Sequence, residues 1–379
     1  MAQNEDLKWS QYDFTKIPFD RIVKSGQRSL LYRDMFSVSW LIGRYCNYDC
    51  SYCWSHGRSD TKDFRPTGLC LQTIDEIKRQ ARERNYNSFH FSFSGGEPTM
   101  HPGYLDILKH YADDTENTNY QSVHMTTNVS QGMKFWDKYI DVTKGLHRTS
   151  ITASWHREQG LKKGNLKKHA EIFADKLCYL QEHDVQVTIN TVMVPEWFDI
   201  LYEEVLYFHE RGINVTLKPQ SDTNATRVVD GYTKENLAIL HNGMPQRNYT
   251  GTKSESVRPK SKMTELPLDA ETGSKVPAVL QVELKDDQGK TYWLDQAERF
   301  NAFEFNQFKG WECNSGYSGI IIREPDGSIK RSYSCHDKPL GYIETGFKLF
   351  DTPQPCISPS CVSSADSKIP KWKPGFKDV

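Results

Sequence analysis

Seven of the nine cysteines in this chain of 379 residues fall into two groups. Cys46, Cys50 and Cys53 share a single loop, Gly43-Arg44-Tyr45-Cys46-Asn47-Tyr48-Asp49-Cys50-Ser51-Tyr52-Cys53, while Cys313, Cys335, Cys356 and Cys361 gather near the other end. Thiolates are the usual ligands of iron–sulfur centres. A four-iron cluster held by three of them keeps one iron open for a substrate, so the first group points to a redox-active centre with a free coordination position. Closely spaced cysteines also bind zinc, which favours a fourth ligand, and His56 is near enough in sequence to provide it. The loop by itself leaves both metals open.

A second motif bears on the choice. Ser94-Gly95-Gly96-Glu97-Pro98 follows Phe89-His90-Phe91-Ser92-Phe93, an apolar run that reads as a buried strand. Paired glycines at a strand end let the backbone approach a ligand with no Cβ in the way. Together with this element, Cys-x3-Cys-x2-Cys with Tyr52 before the last cysteine resembles the signature of radical S-adenosylmethionine (AdoMet) enzymes. The resemblance implies a four-iron cluster on Cys46, Cys50 and Cys53 whose open iron is chelated by the amino and carboxylate groups of AdoMet. It implies reductive cleavage of AdoMet to a 5′-deoxyadenosyl radical that takes hydrogen from a substrate, with the protein supplying position and exclusion of water. In that family the Gly-Gly-Glu-Pro element binds the amino group of AdoMet, which assigns Ser94, Gly95, Gly96 and Glu97 to cofactor binding and places Tyr52 near adenine. Asn128 in Thr126-Thr127-Asn128, Ser154 in Ala153-Ser154-Trp155-His156-Arg157, and Asn190 complete the AdoMet contacts that the resemblance implies. His156 departs from the acidic residue common after this serine in related enzymes, and it and Arg157 are candidates to face substrate. No catalytic residue is assigned.

Near the later cysteines, Ile320-Ile321-Ile322-Arg323, a turn at Pro325-Asp326-Gly327 and the run Ser328–Ser334 predict a β-hairpin that returns Cys335 towards Cys313. Four thiolates suit a fully ligated four-iron cluster or a structural zinc. The arrangement resembles the auxiliary-cluster extension known as twitch or SPASM. It departs from the full SPASM pattern, because Gly327 lies further from Cys335 and the last run has two cysteines where that pattern has four. The expectation is one auxiliary [4Fe-4S] cluster serving electron transfer, with zinc or unliganded thiols as the alternatives. Cys70 and Cys178 read as small buried apolar residues.

Both groups must be held by a scaffold. Strand-like runs at Phe36–Ile42, Ser88–Phe93, Ser122–Thr127, Arg148–Ser154, Val185–Val194 and Asn214–Lys218 alternate with helical patterns, which predicts parallel βα units. The resemblance implies an α/β fold, a partial (β/α)6 TIM-like barrel with a small cysteine-rich C-terminal hairpin extension. Reactive groups of such barrels gather at the C-terminal strand ends, and the cysteine loop and Gly95-Gly96 follow the first two strands. Residues 36–220 are read as the barrel and 1–35 as an extension packing on it. Residues 221–310 are read as linker and β-hairpin, and 311–379 as the auxiliary segment.

A formal net charge of −1 offers no global field for nucleic acid or membranes. The densest basic run, Lys162–Lys168, reads as a solvated helix entrance. No apolar stretch approaches the ~20 residues of a bilayer span. The polar start lacks the regions of a signal peptide, and metal-spaced cysteines imply a reducing cytoplasm. The expectation is a radical AdoMet enzyme reduced by a donor such as flavodoxin or ferredoxin and acting on a small metabolite or a peptide. The short N-terminal extension tilts it towards a small substrate. An RNA-modifying enzyme would need a basic, aromatic-lined surface. A non-catalytic iron–sulfur or zinc scaffold would be indifferent to AdoMet.

Overall fold

The computed structural model describes residues 13–54, 57–222, 227–245, 280–295 and 299–376. His56 and most of the expected linker lie outside them.

The chain enters through β1 (Ile22–Gln27) and the short α1 (Arg28–Leu31). It then lays down six strands, β2 (Met35–Leu41), β3 (Ser88–Ser94), β4 (Tyr120–Thr127), β5 (Arg148–Trp155), β6 (Val185–Met193) and β7 (Asn214–Pro219). All six are parallel and paired in chain order. The connections are helical: α2 (Thr67–Arg82), α3 (Tyr104–Asp113), α4 (Met133–Thr143), α5 (Arg157–Lys162), α6 (Leu166–Glu182) and α7 (Phe198–Glu210).

Each strand alternates between two environments. Trp40, Phe91, Phe93, Met125, Ile151 and Ile189 are buried in one core with residues of the helices such as Ile77, Leu108, Trp136 and Leu177. The opposite face is polar, and Ser39, Ser92, His124 and Ser150 share one register layer across four strands. The Phe89–Phe93 run is therefore not apolar on both sides: His90 and Ser92 are only half-buried on this second face. Parallel strands covered on both faces read as continuous apolar runs, so the alternation marks a face left free of apolar packing. His90 and His124 pair there with Ser122 and Ser150 through Nδ1, each at 2.9 Å. Burial pushes the His124 imidazole down to about 3, so it stays neutral.

The C-terminal segment extends this sheet and builds a second one. After β8 (Val282–Asp286), β9 (Thr291–Leu294) and β10 (Glu312–Cys313), β11 (Gly319–Ile322) adds parallel to the outer edge of β2. β12 (Ser328–Lys330) then returns antiparallel, pairing Ile322 with Ile329, and β13 (Gly341–Tyr342) and β14 (Gly346–Phe347) follow it. The last strands are β15 (Gln354–Pro355) and β16 (Lys371–Trp372). The second sheet has the order β15-β10-β16-β1-β8-β9. β1 of the N-terminal segment thus pairs with strands from the C-terminal half, β16 and β8. Ile17 and Ile22 share a small core with Val282, Leu284, Leu294 and Phe300, which ties the beginning of the chain to the hairpin and the cysteine-bearing end. No described helix is long and apolar enough to cross a membrane.

Arg65, between the cysteine loop and α2, clamps the two halves together. Its Nε and Nη2 donate to Glu324 at 2.7 and 3.1 Å, and Nη2 also donates to the Pro325 carbonyl at 3.0 Å. The two side chains are only 14% and 6% exposed, and removing one member of such a pair strands the other charge. Arg65→Ala is expected to lower stability by about 3 kcal/mol. Glu324→Gln in the same chain should recover part of the loss. Urea unfolding of the three proteins checks both expectations.

Candidate active site

The cysteine loop leaves the end of β2 and is braced from β3. Gly96 N donates to Gly43 O at 2.9 Å and Glu97 N to Tyr45 O at 2.8 Å. A Cβ on Gly96 would lie 2.2 Å from Tyr45 O and 2.3 Å from Arg44 O. Gly95 has φ +133° and the same kind of contact with Gly43 O. The paired glycines are therefore demanded first by the cysteine loop itself, whose backbone they let come within hydrogen-bonding distance.

Glu97 completes this brace. It is 2% exposed, and its carboxylate accepts from Thr99 N, Thr99 Oγ1, Thr127 Oγ1 and Asn128 N at 2.7–3.1 Å. Burial nevertheless holds its pKa above the usual carboxylate range. The carboxylate joins the end of β3 to the end of β4, so in this structure it positions the loops around the cysteines.

Two of the three sulfurs meet nitrogen groups, while Cys53 Sγ donates to Trp54 O at 3.8 Å. Tyr48 N donates to Cys46 Sγ at 3.4 Å, and Asn128 Nδ2 lies 3.9 Å from the same sulfur while donating to Asn47 Oδ1 at 2.9 Å. Cys50 Sγ is 3.2 Å from His156 Nδ1, which also meets the Tyr52 hydroxyl at 2.9 Å. The Tyr52 ring stacks on the imidazole at 6.0 Å. Burial pushes the Cys46 thiol up to about 11 and Cys50 up to about 12, and raises Cys53 as well. Burial also holds His156 neutral, down to about 4. Thiols this reluctant to ionise alone are held as thiolates when they ligate metal.

The remaining expected residues divide. Ser154 on β5 and Asn190 on β6 are in register, so both point to the polar face just below His156. Arg157 pairs with Glu204 of α7, which also accepts from Trp155 Nε1 at 2.7 Å, so its guanidinium is engaged within the protein. Ser94 bonds to the Tyr333 hydroxyl, a partner that sequence reading missed.

Cys313, Cys356 and Cys361, distant in sequence, share one buried cluster, and Cys335 lies within electrostatic reach of Cys313. Cys313 ends β10, Cys356 follows β15, which pairs with β10, and the Cys356 and Cys361 sulfurs share a hydrogen bond. All four are buried, and the sharing pushes the Cys356 thiol down and Cys361 up. Two buried cations flank them. Arg331 bears on Cys313, Cys335 and Cys356, and Lys371 bears on Cys313, Cys356 and Cys361. Lys371 Nζ is anchored by the carbonyls of Asp366, Ser367 and Ile369 at 2.8–3.1 Å. A metal centre bound by four thiolates carries net negative charge, which this setting offsets. Isolated basic residues such as Arg331 and Lys371 give no spacing signal in sequence.

Among the described residues, no three His, Cys, Asp or Glu side chains gather tightly enough for one metal ion. Cys46, Cys50 and Cys53 in one loop are the donor type that an iron–sulfur cluster takes. The radical SAM superfamily model matches residues 40–208. The cysteine-type anaerobic sulfatase-maturating enzyme of Clostridium perfringens is 28% identical over 107 residues, covering 27% of this chain and 28% of that enzyme. The aligned stretch thus spans well under a third of that relative's length. Among solved structures, histidine-tagged anSMEcpe with bound AdoMet aligns over 84% of this chain and 80% of that one, with TM-score 0.50 at 14% identity. Native anSMEcpe with bound AdoMet and Kp18Cys peptide aligns over 84% and 81%, with TM-score 0.50 at 15% identity. These last two likenesses are of fold.

Proposed function

We propose that this member of the radical SAM superfamily, with its radical SAM domain at residues 40–208, cleaves AdoMet reductively to take hydrogen from a peptide or small-metabolite substrate. The observation that carries the reading is the loop of three thiols, braced by Gly95, Gly96 and Glu97 at the neighbouring strand end, above a polar strand face. When bound, a four-iron cluster would supply the electron that breaks the S–C5′ bond of AdoMet. Cys46, Cys50 and Cys53 would hold it. The amide of Asn128 stands beside Cys46 as an N–H donor, and the imidazole of His156 lies within hydrogen-bonding distance of Cys50. Ser154 and Asn190 offer polar groups to the rest of AdoMet, and the six parallel strands act as a partial (β/α)6 barrel around it.

The same reading gives Cys313, Cys335, Cys356 and Cys361 a second four-iron cluster that accepts an electron after hydrogen abstraction, with Arg331 and Lys371 offsetting its charge. A peptide is the substrate class to try first, because the matched relative is a maturating enzyme. The test is anaerobic reconstitution followed by reduction with dithionite. Formation of 5′-deoxyadenosine from AdoMet is the expected result, and iron uptake with no cleavage rejects the reading. Cys335→Ala is expected to keep AdoMet cleavage and lose the second cluster. If it retains full iron, the auxiliary assignment is wrong.

A further inference from the structure

We infer that an acidic one-electron donor protein docks over a lysine-lined cavity between the β4–α4 loop and the start of α6, next to Cys46. This rests on the radical AdoMet reading, since it concerns where that reaction's electron enters. The cavity is about 200 Å³, and its walls include Tyr48, Asn128, Lys163, Lys168, His169 and Lys176. None of its lining residues is a carboxylate.

Two of these walls touch the cysteine loop's first sulfur. Tyr48 N donates to Cys46 Sγ at 3.4 Å, and Asn128 Nδ2 lies 3.9 Å from it. One side chain therefore separates the cavity from a cluster ligand. The lysines have distinct tasks. Lys176 Nζ is spent on the Val129 and Gln131 carbonyls, at 3.1 and 2.6 Å, and shapes the cavity floor. Lys163 and Lys168 are exposed, and Lys163 Nζ reaches the Tyr48 hydroxyl at 3.4 Å. The neighbouring Lys162 is paired with Asp49 at 2.5 Å and so adds little field.

The positive charge is a local feature, because the whole chain carries −1. A patch of one sign on a neutral protein steers a partner of the opposite sign and fixes its approach. Open, lysine-topped walls suit carboxylates presented on another protein's surface. The step moves one electron: the donor's reduced flavin or iron centre is oxidised by one, the enzyme's cluster is reduced by one, and no atoms are exchanged. The Lys162–Lys168 run is then more than a solvated helix entrance.

The test uses the reconstituted enzyme with flavodoxin or with dithionite as reductant. In the double variant Lys163→Glu, Lys168→Glu, the flavodoxin concentration for half-maximal AdoMet cleavage is expected to rise about tenfold. Direct flavodoxin binding should weaken and lose much of its salt dependence, while the dithionite-driven rate stays unchanged. Wild-type half-saturation and binding in the variant would overturn the proposal. So would equal loss with both reductants, which would place the lysines in the AdoMet site. Loss of inorganic phosphate binding with flavodoxin binding intact would make the cavity a small-anion site and also overturn it. If dithionite drives no cleavage even in the unaltered enzyme, the radical AdoMet reading itself fails.

Discussion

Cys50→Ala is expected to abolish AdoMet cleavage while leaving the C-terminal iron in place. Cys50 belongs to a loop after β2, whereas Cys313, Cys356 and Cys361 are set by β10, β15 and the turn after it in the other sheet, and Cys335 by the turn after β12, two strands out from β2. The two regions touch where Ser94 meets Tyr333, but the sulfurs of each are carried by different loops. With two four-iron clusters, iron should fall from ~8 to ~4 per chain. Because Cys50 is only partly buried, the substitution should change folding stability by less than about 1 kcal/mol. Iron analysis, 5′-deoxyadenosine formation and thermal unfolding on one preparation check all three. Loss of all iron would contradict separate sites.

Gly96→Ala is expected to be nearly as damaging, for a steric reason. The new methyl would meet two backbone carbonyl oxygens, at 2.2 and 2.3 Å, and backbone cannot rotate away as a side chain can. Relief requires Tyr45 and Arg44 to retreat, which breaks the bonds from Gly96 N and Glu97 N and displaces Cys46. Overpacking of this kind costs about 3 kcal/mol. The iron of the N-terminal site should be lost with AdoMet cleavage, while the C-terminal iron remains. Gly68→Ala is the control: nothing lies within 4 Å of its Cβ position in α2. It should be neutral or stabilise by about 0.5 kcal/mol. Full cluster loading in Gly96→Ala would show that the loop tolerates the methyl and that its brace has been overstated.

The six parallel strands were legible because alternation and helix periodicity are local signals, and their ends fall within a few residues of the expected ones. The Cys46–Cys53 loop and the glycine pair were legible for a related reason: each is a short motif at a strand end. What was hidden depends on pairing between distant segments. Ile320–Ile322 looks like half of a hairpin, and nothing in those residues says that β11 also extends β2 in parallel. β1 lies between β16 and β8, a neighbourhood drawn from both ends of the chain. His156 stood out as a departure from a family pattern. Its place against Cys50 and Tyr52 came only from the register that brings the end of β5 beside the loop. Glu97 was read as a cofactor contact from its motif, and the motif gave no sign of the four protein donors that its carboxylate also takes.

The most direct measurement is electron paramagnetic resonance of the dithionite-reduced, anaerobically reconstituted Cys335→Ala protein, recorded with and without AdoMet. The variant removes the second cluster's signal from view. The account predicts a reduced four-iron spectrum whose g-values move on addition of AdoMet, because one iron has no cysteine ligand and accepts the new molecule. Zinc in place of iron at Cys46, Cys50 and Cys53, or an iron spectrum that AdoMet leaves unchanged, would contradict it.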